Sequence, residues 1–160
     1  MGNEKAINQL IAHHSVVFEP EKLLVWVSSA PWQLGEYVAY DLKKVFALRG
    51  MKQDQEISEP GLTVAADSFL LTPSYKKFEI FRAFKQRIAD GGEVNTDSLL
   101  ASNPASYQAY VLAADYLFKK DQLEKAAALY KIALTKEIAT SKEETHIRDQ
   151  IKICTKKTGK

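Results

Sequence analysis

Few residues in this chain carry chemistry, and none of them are spaced for it. Histidines stand at 13, 14 and 146, and Cys154 is the only cysteine. His13 and His14 are adjacent, so on a strand their side chains point to opposite faces and cannot hold one metal together. No Cys/His spacing suits zinc. Cys154 shares a helical stripe with Ile147 and Ile151, which reads as a buried thiol rather than a nucleophile. Asp41 and Asp67 are isolated acids with no paired carboxylate for acid/base work. Gly91-Gly92 lacks the flanks of a phosphate loop. Lysines 152, 156, 157 and 160 form a solvated tail. The sequence therefore nominates no catalytic, cofactor-binding or metal-ligating residue. It nominates only His13, His14 and Trp32 as pocket-lining candidates. Trp32 sits in the loop Ala30–Gly35, where an indole either walls a pocket or plugs the end of a sheet; the plug is the simpler reading.

Composition sets the frame for these residues. The chain has 160 residues, with 22 Lys and Arg against 20 Asp and Glu, a net charge of +2. That balance provides no basic stripe for nucleic acid, and no nucleic-acid partner is expected. Hydrophobic residues make up 46% and charged residues 26%, as in ordinary globular proteins. One cysteine excludes a disulfide framework. Met1-Gly2 is followed by Ala6 where a myristoylation motif needs Ser or Thr. The start lacks the apolar run of a signal peptide, and no window provides the roughly 20 apolar residues of a membrane helix. A soluble chain with no membrane partner is expected, and its compartment is not encoded.

The elements that must position the candidates fall into an α+β order. Residues 1–48 read as antiparallel strands. His14–Glu19 and Leu23–Ser28 flank a short turn containing Pro20, and Tyr37–Leu42 forms a third run. The runs are continuously apolar rather than alternating, which suggests strands covered on both faces. Three strands cannot cover their own faces, so this segment calls for a partner: the rest of the chain, a second copy, or a missing N-terminal portion. Residues 49–61 are polar, end in Pro60-Gly61 and read as a linker or surface loop. Residues 62–71 suit a short strand or a packed extended segment. The region 62–160 is otherwise predicted helical. Thr72-Pro73 opens a helix, Tyr75, Phe78, Phe81, Phe84 and Ile88 give it an aromatic stripe for burial, and Asp90-Gly91-Gly92 ends it. Further helices are predicted from Asn103 to about Lys119, from Leu123 to about Thr135, and from about Ser141.

The helical hairpin over residues 107–138 resembles a tetratricopeptide repeat. Tyr110, Ala113, Ala114 and Leu117 match the motif on its first helix, and Ala126, Tyr130 and Ala133 match on its second. Alanines let the two helices approach, and the aromatic fills the wedge between them. The closing proline is absent, with Ile138 near its place. One repeat is fewer than the roughly three a free solenoid needs, so the hairpin is expected to pack on something else.

Residues 7–42, INQLIAHHSVVFEPEKLLVWVSSAPWQLGEYVAYDL, resemble the C-terminal strands of the isopenicillin-N-acyltransferase-like family of cysteine N-terminal nucleophile hydrolases. The likeness lies in Ser15, Val16, Val17, Phe18 and Glu19, a short turn, then Leu24, Val25, Trp26 and Val27, the Ala30-Pro31 loop, and a closing aromatic strand near Asp41-Leu42. Residues 63–86 are similar to a helical extension of some bacterial members. The resemblance implies a sandwich of two antiparallel sheets and an autocleaved precursor. Its new N-terminal cysteine attacks an amide or thioester carbonyl, with the α-amino group as base and polar groups holding the oxyanion. This sequence begins Met1-Gly2 and has its cysteine at 154, so the nucleophile would lie upstream. The reading is a C-terminal fragment of an amide hydrolase or acyltransferase, not catalytic alone, whose partner is the missing N-terminal portion or a second copy. The alternative is a non-enzymatic interaction module that takes a protein partner through its helical tail.

Overall fold

The computed structural model describes residues 12–159. The class is α+β: a three-stranded antiparallel sheet precedes a set of helices. The chain forms two compact units that divide between Thr72 and Pro73. Residues 62–72 thus belong with the sheet and not with the helical region expected to start at 62. Residues 7–11 of the stretch carrying the hydrolase resemblance, the opening Met1-Gly2 and Lys160 lie outside the described residues.

In the first unit, β1 (Val16–Glu19), β2 (Leu24–Ser28) and β3 (Tyr37–Asp41) form a meander in the order β1-β2-β3. Val17 lies opposite Trp26, and Trp26 opposite Ala39. The expected turn joins β1 to β2, with Lys22 N–H donating to the Glu19 carbonyl at 3.2 Å. The strand set follows the β-branched and aromatic runs, which fit a pleated surface. Val25, Leu34 and Ala39 are its buried apolar positions, and Ser28 is buried beside them. Helix α1 (Leu42–Ala47) follows β3 directly and was not expected. Asp41 caps it, its carboxylate accepting from the Lys43 N–H at 2.9 Å.

The outer edge of β3 is taken by the segment beyond α1. Tyr37 and Val64 exchange two main-chain hydrogen bonds, at 2.9 and 3.0 Å, and the Ala39 carbonyl accepts from Glu59 N–H at 2.8 Å. The Trp26 indole N–H donates to the Leu62 carbonyl at 2.8 Å. Residues 49–61 therefore do not run free; their end is tied to the sheet. Of residues 62–71, only Val64 makes a bridge. Ser68–Leu71 forms a 3₁₀ turn because Asp67 caps it, accepting from Phe69 N–H at 2.8 Å. The two isolated acids of the sequence are thus helix caps.

The second unit contains α2 (Pro73–Ala89), α3 (Thr96–Ser102), α4 (Tyr107–Lys119), α5 (Leu123–Ala133) and α6 (Ser141–Thr158). Helix α2 starts and ends where the sequence predicts. At its end Gly91 takes φ +77°, and Gly92 N–H reaches back to the Arg87 carbonyl at 2.8 Å. That closure needs a left-handed residue, which glycine supplies without strain. The same closure ends α4. Asp121 at φ +58° lets Gln122 N–H reach the Leu117 carbonyl at 2.9 Å. Helix α4 starts at Tyr107 rather than Asn103, because Ser106 is the cap and Asn103-Pro104 belongs to the preceding turn. The seven-residue α3 was not expected.

Each helix packs against its neighbours in sequence, and α2 also meets α4. One core cluster joins Phe81 of α2, Leu99 of α3, and Ala109 and Ala113 of α4. A second joins Tyr107, Ala114 and Leu117 of α4, Ala126, Tyr130 and Ala133 of α5, and Ile147 and Cys154 of α6. Ala114, Ala126 and Ala133 of the second cluster are fully buried, so α4 and α5 approach closely over their methyl groups, and Ala113 is buried in the first. Tyr110 is only half-buried, with its hydroxyl on the Pro104 carbonyl at 3.2 Å.

Candidate functional site

The three pocket-lining candidates belong to the sheet unit. His13 and His14 lie before β1, not on it, and both are exposed. Strand alternation therefore does not fix which way their side chains point, since β1 begins at Val16. Ser15 faces Ser28 across the hairpin: Ser28 N–H donates to the Ser15 carbonyl at 2.9 Å, and the Ser28 hydroxyl accepts from Ser15 N–H at 2.9 Å. Trp32 follows a few residues after Ser28. All three candidates thus sit at the end of the sheet where β1 begins and β2 finishes. Trp32 is half-buried with φ +51°, in a loop that Gly35 makes possible. A Cβ at Gly35 would lie 2.3 Å from the Ser29 carbonyl oxygen, so the loop closes on a bare backbone.

The sheet unit's other feature is β1 itself. Val16, Val17 and Phe18 remain 45%, 50% and 65% exposed. The sequence expects apolar strands covered on both faces; the described residues leave β1 uncovered on both. Fully burying a residue of this kind gains about 1.5–3 kcal/mol, so three half-exposed neighbours mark an unfilled surface.

The helical unit holds a groove of about 250 Å³. It is lined from α2 by Phe81 and Lys85, from α4 by Val111 and Asp115 among others, and from α6 by Glu143, His146 and Ile147. Helices α3 and α5 contribute nothing to its lining. Its two carboxylates are held by hydroxyl donors. Asp115 accepts from the hydroxyl of the fully buried Tyr130. Burial first, and then the Asp115 carboxylate, pushes that phenol well above its ordinary range. Glu143 accepts from the Tyr107 hydroxyl at 2.6 Å and from the Thr140 hydroxyl at 2.8 Å. The Tyr107 bond, with Thr140 adding to it, holds the carboxyl below its ordinary value. Thr140 and Glu143 also close a capping box at the start of α6, with Glu143 N–H donating back to Thr140 at 3.2 Å.

Asp115 and Glu143 were not among the residues the sequence singled out. The Thr-x-x-Glu spacing at 140–143 was a readable signal for Glu143. Nothing in the sequence pairs Asp115 with Tyr130. Cys154 is buried, and burial pushes its thiol up, as suits a structural residue. Among the described residues, no group of three His, Cys, Asp or Glu could hold a metal ion, and no helix is long and apolar enough to cross a membrane. Compared with family models, curated proteins and solved structures, the chain finds no match.

Proposed function

We propose that this chain is the C-terminal, non-catalytic portion of an N-terminal nucleophile enzyme acting on amide bonds, with its sheet forming one part of a larger sandwich. The observation that carries the reading is β1. Its three consecutive apolar residues are 45–65% exposed, and the β2 residues beside them are apolar on both faces. A surface of this kind marks a place where another layer docks. In this role the chain supplies strands and the Trp32 loop, while the cysteine and its oxyanion donors come from the rest of the enzyme. The test is intact mass and N-terminal sequencing of the protein from its native cell. A longer species, or a companion chain beginning with Cys, is expected. A native product consisting of this chain alone would overturn the reading.

The groove favours a second reading, a tetratricopeptide-type interaction module. Three helices supply an apolar floor flanked by carboxylates at Asp115 and Glu143 and by the Lys85 ammonium, a surface suited to a peptide with an apolar anchor between polar groups. Peptides selected on the chain should lose binding when Val111→Glu fills the groove. Binding that survives this change would place the peptide elsewhere and remove the groove's role.

A further inference from the structure

We infer that β1 is a self-pairing edge, joining β1 of a second copy of this chain antiparallel about a two-fold axis at Val17. The sheet has two edges. The one at β3 is already paired, through Tyr37, Val64, Ala39 and Glu59. Among the described residues, nothing pairs with the outer edge of β1. Among the described residues, β1 is therefore the open edge of the sheet.

The register follows from the main chain. Ser15 turns its N–H and carbonyl toward β2, as its two bonds to Ser28 show. Backbone direction alternates along a strand, so Val17 and Glu19 also face β2, and Val16 and Phe18 face outward. With the axis at Val17, Val16 of each copy lies opposite Phe18 of the other. Both pairs can then exchange two main-chain hydrogen bonds.

The side chains agree with this register. Val16 meets Phe18 on one face, and Val17 meets Val17 on the other. Ser15 meets Glu19, a hydroxyl against a carboxylate, and no like charges face each other. Moving the axis to Phe18 would set Val16 against Pro20, which has no N–H to give. Moving it to Val16 would set Val17 against the Ser15 hydroxyl. The exposed apolar residues are thus those that the Val17 axis brings together. This pairing concerns the strand's edge, whereas the proposed enzyme covers the sheet's faces, so either can fail while the other stands.

The test uses the full chain with single cysteines introduced by Val16→Cys, Val17→Cys and Phe18→Cys, while Cys154 stays buried. A non-hydrogen-bonded pair on the axis brings its own Cα atoms to about 4.5 Å, within disulfide reach. The other two positions meet each other and not themselves. Mild oxidation should cross-link Val17→Cys faster than either neighbour, because only the axial position meets its own copy within disulfide reach. Light scattering should give a dimer for the parent chain. It should give a monomer for Val17→Glu, which sets two carboxylates face to face, with an unchanged far-UV circular dichroism spectrum to show that the chain still folds. A monomeric parent, or equal cross-linking at all three positions, would overturn the inference. Neither result bears on the native chain length, which tests the proposed function separately.

Discussion

Tyr130 and Asp115 form the contact that best tests how α4 and α5 are held together. The ring of Tyr130 is fully buried among Ala114, Ala126 and Ala133, and its hydroxyl donates to Asp115. Tyr130→Phe removes the donor but keeps the ring. Asp115 lines the groove and can turn to water, so the cost is the bond itself, about 1.5 kcal/mol at the low end for a charged partner. Asp115→Ala should cost more, about 2–3 kcal/mol, because it leaves a buried hydroxyl without an acceptor. Tyr130→Ala should cost about 3–5 kcal/mol, since it opens a cavity the rigid helices cannot fill. Stability changes of this size shift the melting of a unit of this length by about 4–8 °C per kcal/mol. Tyr130→Phe should therefore lower the helical transition by roughly 6–12 °C by that scaling. The assay is thermal and denaturant unfolding by far-UV circular dichroism across Tyr130→Phe, Asp115→Ala and the double variant. The double variant should cost less than the sum of the singles by about 1–2 kcal/mol. Strict additivity, or a Tyr130→Phe chain as stable as the parent, would refute the reasoning.

Three further outcomes follow from the same physical reading. Tyr107→Phe removes the main donor to Glu143 and should cost about 1 kcal/mol at neutral pH. Because the folded Glu143 carboxyl lies below its unfolded value, that contribution is present above the ordinary glutamate pKa of about 4.3 and is lost as pH falls through the folded value. The gap between variant and parent in unfolding free energy should be flat at neutral pH and close in acid. Gly35→Ala forces a Cβ to 2.3 Å from the Ser29 carbonyl oxygen. It should destabilise the sheet unit by about 1–3 kcal/mol, seen as early loss of the near-UV signal of Trp26 and Trp32, with the helical transition unmoved. Cys154 should resist a thiol reagent in the native chain, since burial both shields it and raises its thiol pKa; its labelling rate should rise with denaturant together with loss of helix signal.

What the sequence made legible was whatever rests on local chemistry. The three strands are visible because β-branched and aromatic residues cluster between Pro and Gly turns. Helix α2 is visible at both ends because Pro73 suits a first helical position and Gly91 takes the positive φ that closes the helix. The burial of Ala113, Ala114, Ala126 and Ala133 follows from their spacing. Helices α1 and α3 were missed because each is too short for a full hydrophobic period and depends on a cap, Asp41 or Asn95, that reads equally well as a turn residue. The α4 boundary was misplaced because Pro104 and Ser106 both look like helix starts, and the Ser106 side chain decides it by accepting from Gln108 N–H. The groove was hidden for a different reason. Its carboxylates come from separate helices, and a hydrogen bond such as Tyr130 to Asp115 depends on how α4 and α5 turn relative to each other. The histidine pair looked like strand residues because the apolar run after them is continuous, and only the pairing register shows where extension starts.

The order of helix packing also governs how the second unit comes apart. Helices that pack against sequence neighbours share their stability through junctions rather than through one common centre. Loss of α6 exposes Cys154 and Ile147 but leaves the cluster of Phe81, Leu99, Ala109 and Ala113 in place. Loss of α2 does the reverse. The unit can therefore peel from either end, with α4 and α5 the last to open, and amide exchange should slow progressively toward the turn at Asp121.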